Sequence, residues 1–227
     1  MREVLGYDTY LAQGGDWGAM VTSYIGLNHG AYDGKGGCKA IHLNMMGFRP
    51  TPATPQTEDE KKWLSDSAGA MQADGSYFMQ QATKPQTLSF AMMDSPVGQA
   101  AWILEKFHGW SDLTNSDLWS VYTKDQLLTN LMLYLVNDAF ATSVRYYQSF
   151  LFEGGPNLPE GVRCETPTGF ASFPGETFLI APPQSWAERA YNITRWENMP
   201  RGGHFAAMEV PDIFVKEVRD WAREGGW

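Results

Sequence analysis

The chain has 227 residues, 43% of them hydrophobic and 14% aromatic, enough to bury a sizeable core and too apolar for disorder or a coiled coil. Its 17 basic and 26 acidic side chains leave a formal charge of -9, which disfavours nucleic acid and anionic membrane surfaces as partners. No apolar run approaches the roughly 20 residues of a membrane helix, Met1-Arg2-Glu3 opens into Val4-Leu5 without a signal-peptide core, and Cys38 and Cys164 have no further cysteine or histidine at metal-ligand spacing. A soluble protein of a reducing, cytoplasmic compartment is expected, without metal or cofactor.

The first elements read as strand, turn and helix. Tyr7 to Gln13 is short, apolar and aromatic; Gly14-Gly15-Asp16-Trp17-Gly18 breaks it; Ala19 to Asn28 has helical content, with Gly30 as its stop. A glycine-rich turn, Asp33-Gly34-Lys35-Gly36-Gly37, leads to a second strand over Lys39 to Met45. Three prolines make Pro50 to Pro55 a linker, because they remove donors and hold their neighbours extended.

From Glu58 to about Phe152 helical signals dominate. The best-marked helix starts at the capping box Thr123-Lys124-Asp125-Gln126 and continues through Leu128, Met132, Val136, Phe140 and Val144, a four-residue spacing that predicts one buried face. Strand-like segments return at Val162 to Cys164, Gly169 to Phe173 and Asn192 to Trp196, with a helix opening at Ser185-Trp186-Ala187-Glu188. Pro211 begins a final amphipathic helix carrying Ile213, Phe214, Val218, Trp221 and Ala222. Strands alternating with helices, interrupted by one helical block, predict an α/β fold with a parallel sheet of about four strands and an inserted helical cap. The cap is expected over 51–150, and the sheet core over 1–50 and 151–227. The first strand then raises the question of what covers its outer edge.

Gly14-x-Asp16-x-Gly18 has the spacing of a nucleophile elbow, a tight strand-to-helix corner that lifts one side chain above the sheet. An ordinary glycine turn capped by aspartate would show the same five residues. His29, His42 and His108 have plain structural explanations, whereas His204 follows Gly202-Gly203 on a late loop, at the carboxyl end of the sheet where α/β sites are built. An acid between them in chain order is supplied by Glu176, after Gly169 to Phe173, with Asp138 as the alternative.

Five segments in order carry a resemblance: Gln13-Gly14-Gly15-Asp16-Trp17-Gly18, Thr83-Lys84-Pro85-Gln86-Thr87, Asp94-Ser95-Pro96-Val97-Gly98, Leu127-Leu128-Thr129-Asn130 and Arg201-Gly202-Gly203-His204-Phe205-Ala206-Ala207. Together they resemble microsomal-type epoxide hydrolases of the α/β-hydrolase superfamily over nearly the whole chain. The resemblance implies an α/β-hydrolase fold, with Asp16 as nucleophile, His204 as general base, Glu176 as its orienting acid and two cap tyrosines that hold the epoxide oxygen. Tyr77, just before the Thr-Lys-Pro-Gln-Thr segment, and Tyr147 match those tyrosines, with Tyr146 a competitor for the second. It also implies a small apolar epoxide and water as partners and a detoxification role.

Aspartate suits this chemistry because its alkyl ester can be cleaved by water, whereas an ether on serine could not. Phenols remain protonated donors at neutral pH. The backbone N–H of Trp17 is one oxyanion donor. The family's second comes from a His-Gly-x-Pro loop upstream of the elbow, and only 15 residues precede Asp16; His108-Gly109-Trp110 is followed by serine and lies in the helical block. By resemblance the sheet should have eight strands, so the sequence looks like a C-terminal part whose first strand offers an open edge, covered by an upstream extension or by homodimer formation. A haloalkane dehalogenase and a catalytically incompetent remnant are the competing readings. The sequon Asn192-Ile193-Thr194 carries no weight without an export signal.

Overall fold

The structure, a computed structural model, describes residues 1–31 and 36–227. In chain order its elements are α1 (Arg2–Leu5), β1 (Thr9–Gly14), α2 (Trp17–His29), β2 (Gly37–Leu43), α3 (Glu58–Asp74), α4 (Ser76–Thr83), α5 (Pro85–Asp94), α6 (Pro96–Trp110), α7 (Leu118–Val121), α8 (Lys124–Val136), α9 (Phe140–Ser143) and α10 (Arg145–Phe152). Then follow β3 (Cys164–Ser172), α11 (Gln184–Ala187), β4 (Tyr191–Asn198), α12 (Ala206–Glu209) and α13 (Pro211–Glu224). Most of the expected glycine-rich turn over Asp33 to Gly37 lies outside the described residues.

The four strands form one parallel sheet in the order β1-β2-β3-β4. Parallel strands covered on both faces lose their polar alternation, and β2 shows it: Cys38, Ala40, Ile41, His42 and Leu43 are all fully buried. Around them Ala19 from α2, Cys164 and Phe170 from β3, and Tyr191 from β4 close the main core. On one face Trp221 of α13 packs so close to β3 that a Cβ on Gly169 would stand 2.5 Å from its ring. The same helix carries Glu217 into the interior, where Arg195 of β4 meets its two oxygens at 2.8 Å each and His42 lies 3.6 Å away.

β1 has no strand on its outer side among the described residues, and Val4, Leu5 and Tyr7 beside it are exposed. No single helix among the described residues is long and apolar enough to cross a membrane.

Two expected elements are corrected. The segments Val162 to Cys164 and Gly169 to Phe173 belong to one strand, β3, whose pairing with β4 is irregular between Cys164 and Pro167, where the proline cannot donate to the ladder. The long helix from Thr123 does not run on to Val144. Its capping box is present, but the helix ends at Val136 and the chain turns through Asp138, at φ 48°, before α9. The buried positions of α8 are Leu127 and Leu131, at 2% and 3% exposure; Leu128, Met132 and Val136 are 55%, 49% and 71% exposed. Phe140 and Val144 are buried from α9 and its end, against Leu88 of α5. The four-residue stripe therefore joins residues from two helices and is not one face. The helix expected from Ser185 is the single turn α11.

Helices α3 to α10 lie between β2 and β3 in the chain and meet the segments that follow the carboxyl ends of β3 and β4. Trp63 of α3 donates from Nε1 to the Ile180 carbonyl at 2.8 Å and packs on Trp186. Buried Glu60, one turn earlier, accepts from Ser185 at 2.8 Å and from the Gln56 N–H at 2.6 Å.

Candidate active site

The carboxyl ends of β1, β3 and β4 are followed within a few residues by Asp16, Glu176 and His204, so parallel topology alone brings three distant residues to one end of the sheet. Asp16 occupies the corner between β1 and α2 with φ 47° and ψ -130°, a conformation L residues rarely adopt. The close approaches that build this corner fall at Gly14 and Gly15. A Cβ at Gly14 would lie 2.1 Å from the Gly18 carbonyl oxygen, and one at Gly15 would lie 2.6 Å from the Asn44 side chain. Gly18 itself would accept a Cβ without contact, so the close approach to its carbonyl is a demand on Gly14 alone.

His204 stands between the two acids. Its Nε2 is 2.9 Å from Asp16 Oδ2, and its Nδ1 makes a short hydrogen bond with Glu176 Oε2. Glu176 is fixed in turn through Oε1, which accepts the N–H groups of Phe178 and Leu179 at 3.3 and 2.9 Å. Burial opposes the imidazolium, but hydrogen bonds and charge from Asp16 and Glu176 outweigh it and push the His204 pKa up to about 10. Asp16 is the exposed member, with 45% of its side chain open against 3% for His204.

Asp16 faces a cavity of about 540 Å³ walled by Trp17, Tyr77, Tyr147, Phe178 and the thioethers of Met20, Met45, Met46 and Met71. Tyr77 comes from α4 and Tyr147 from α10, and their ring centroids are 5.8 Å apart. Tyr147 also meets Trp17 edge-on at 5.0 Å. Burial, then the neighbouring Tyr147 and the Asp16 charge, raise the Tyr77 pKa; burial and Asp16 push Tyr147 up to about 12. Both are held as neutral donors. Tyr146 is 66% exposed and does not line the cavity, so of the two adjacent tyrosines only Tyr147 reaches the site. Asp138 is exposed in the turn between α8 and α9, while Glu176 meets the histidine.

Trp17 is the first residue of α2, and its N–H is among the first-turn donors that a helix leaves without an internal acceptor. Among the described residues no group of three or more acidic, histidine or cysteine side chains is placed to hold a metal ion.

Sequence reasoning missed Trp110, set aside with His108-Gly109. Its ring edge meets the His204 ring at 5.1 Å, it stacks on Phe178, and its carbonyl accepts the His204 N–H at 2.9 Å. Nothing in that tripeptide signals the contact, because the accepting group is a backbone carbonyl.

Comparison with known proteins finds epoxide hydrolases. A protein provisionally named an epoxide hydrolase in Stigmatella aurantiaca is 39% identical over 227 aligned residues, covering 99% of this chain and 49% of the relative. Epoxide hydrolase 1 of Oryctolagus cuniculus is 33% identical over 94% of this chain and 51% of its own length. The crystal structure of juvenile hormone epoxide hydrolase from the silkworm Bombyx mori superposes with a TM-score of 0.80 at 30% identity, covering 97% of this chain and 56% of that one. No protein-family profile matches. The chain spans about half the length of the curated relatives it matches.

Proposed function

We propose that this chain, similar to the epoxide hydrolases in sequence and in its α/β-hydrolase fold, converts epoxides to vicinal diols through an ester on Asp16. In this reading 1–50 and 151–227 form the hydrolase core and 51–150 the cap. The supporting observation is one histidine ring between two carboxylates, with the open one, Asp16, facing two half-buried phenols across an apolar cavity.

Asp16 attacks an epoxide carbon, the C–O bond breaks, and Tyr77 and Tyr147 hydrogen-bond the departing oxygen and pass it a proton. Ester formation removes the Asp16 charge that helps hold His204 protonated, so the imidazolium sheds its proton, which balances the one gained by the alkoxide. The resting enzyme thus carries an imidazolium, and trapping the substrate turns it into a base. Water then gives its proton to His204 and attacks the ester carbonyl, the Trp17 N–H holds the oxyanion, and collapse releases the diol and restores the Asp16 carboxylate. Glu176 holds the tautomer of the neutral ring and offsets its charge whenever it is protonated. The apolar wall suits a small apolar epoxide. Paired phenols favour an oxygen leaving group over the halide of a dehalogenase.

The test is intact mass and peptide mapping of the His204→Gln variant after exposure to styrene oxide. Gain of one epoxide on the Asp16 peptide is the expected result. A folded sample that gains nothing rejects ester chemistry on Asp16 in this chain.

A further inference from the structure

His204 lies on the loop between β4 and α12, and four consecutive backbone N–H groups of that loop are all engaged. Gly202 donates to Asp112 Oδ2 at 2.9 Å, Gly203 to Glu209 Oε2 at 2.9 Å, His204 to the Trp110 carbonyl at 2.9 Å and Phe205 to Glu209 Oε1 at 2.8 Å. Glu209 Oε2 also accepts the Asp112 N–H at 2.8 Å. One carboxylate therefore holds the amides on both sides of the histidine and ties them to the residues that follow α6. The fit is close: a Cβ on Gly203 would lie 2.6 Å from the Trp110 carbonyl oxygen and 2.8 Å from the Asp112 nitrogen. Burial raises the Glu209 pKa against the pull of these three amides, so the ionised form is kept at a cost the hydrogen bonds must offset.

Rotating the His204 backbone would swing its ring off the line between Asp16 and Glu176. Asp16 is held by the β1–α2 corner, Tyr77 by its ring contact with Trp110 and Tyr147 by its ring contact with Trp17; none of the three bonds to Glu209. We propose that Glu209 is a positioning residue: it fixes the backbone on either side of His204 and makes the alignment of that base depend on the seating of the α6 end against the sheet. The proposal rests on the epoxide reading above. It predicts that loss of Glu209 harms the step that needs an aimed base, ester hydrolysis, far more than ester formation.

Glu209→Gln keeps the side chain's size but replaces one accepting oxygen with an NH2 group that faces amide donors. In rapid mixing with styrene oxide, ester formation should stay within about threefold of the unsubstituted chain, while diol release falls about 10²-fold, the cost of a small misplacement of a reacting group. The ester should then accumulate by intact mass, as in His204→Gln. Where Glu209→Gln fails to fold by circular dichroism, Glu209→Asp, which keeps the charge but draws the carboxylate back by one methylene from the Gly203 and Phe205 amides, supplies the same readout. Equal loss of both steps, or loss of neither, while His204→Gln still traps its ester, overturns the positioning role alone. Absence of any ester in folded His204→Gln removes the epoxide reading, and the proposal with it.

Discussion

The two halves of the site are held in different ways. On the sheet side, every charged group is fixed by directed bonds: both ring nitrogens of His204 face carboxylates, and Glu176 receives two backbone N–H groups. On the side of the helices, Tyr77 and Tyr147 are placed by ring contacts with Trp110, Phe178, Trp17 and Phe78 at centroid distances of 5.0 to 5.8 Å. Directed bonds set an angle, which proton transfer demands; ring packing sets a position and leaves some rotation, which suffices for a phenol that need only reach an oxygen. Substitutions on the sheet side should therefore act as switches and those among the helices as graded changes.

The largest break in that comparison is Asp16→Ala, which removes the group that attacks in the proposed mechanism. Turnover should fall by about 10⁴-fold or more, with no ester detected by mass, whereas His204→Gln loses turnover but retains the ester. Tyr77→Phe and Tyr147→Phe should each lower the rate of ester formation by about 10²-fold, as for loss of one preorganised donor, and the double substitution should cost more than either. Measured by single-turnover kinetics, equal rates for single and double variants would show that only one phenol works.

A smaller effect separates the halves by pH. His204 rises from its ordinary value near 6.5 to about 10 in the folded chain. Its stabilising contribution is therefore complete below about pH 6.5 and lost as pH climbs through about 10. The melting-temperature gap between the unsubstituted chain and His204→Gln should shrink over that interval, and a gap that stays constant would show that the ring is not charged in the folded state. The smallest effect is expected at Phe78→Leu. It removes one edge contact on Tyr147 and should change ester formation only a few-fold, at a stability loss of about 1 kcal/mol. A hundredfold loss there would mean that the rings fix angle after all.

The sheet and its corner were legible because their signals are local: apolar runs of strand length, glycines at a tight turn and the chain order of Asp16, Glu176 and His204. Signals that cross a break were misleading. The stripe from Leu128 to Val144 keeps its spacing through Asn137-Asp138, but the positive φ at Asp138 redirects the chain and leaves three of its five members exposed. Pro167 split β3 in the same way, since a proline inside a strand reads as its end. Other features had no local signature at all. Glu217 reads as a solvent-facing charge on an amphipathic helix until Arg195, 22 residues earlier, is seen to meet it; that pairing pulls its carboxyl down to about 2 despite burial, which alone would raise it. Glu209 was silent because its partners are backbone amides.

The methionines of the cavity wall carry a chemical consequence. Met20, Met45, Met46 and Met71 place four thioethers around the space facing Asp16. Thioethers adapt their shape to varied apolar guests, but peroxide converts them to sulfoxides, and each such oxidation sets a strong dipole in the wall. Oxidative stress would thereby turn a greasy chamber into a wet one without altering Asp16, Glu176 or His204, and a sulfoxide reductase would turn it back.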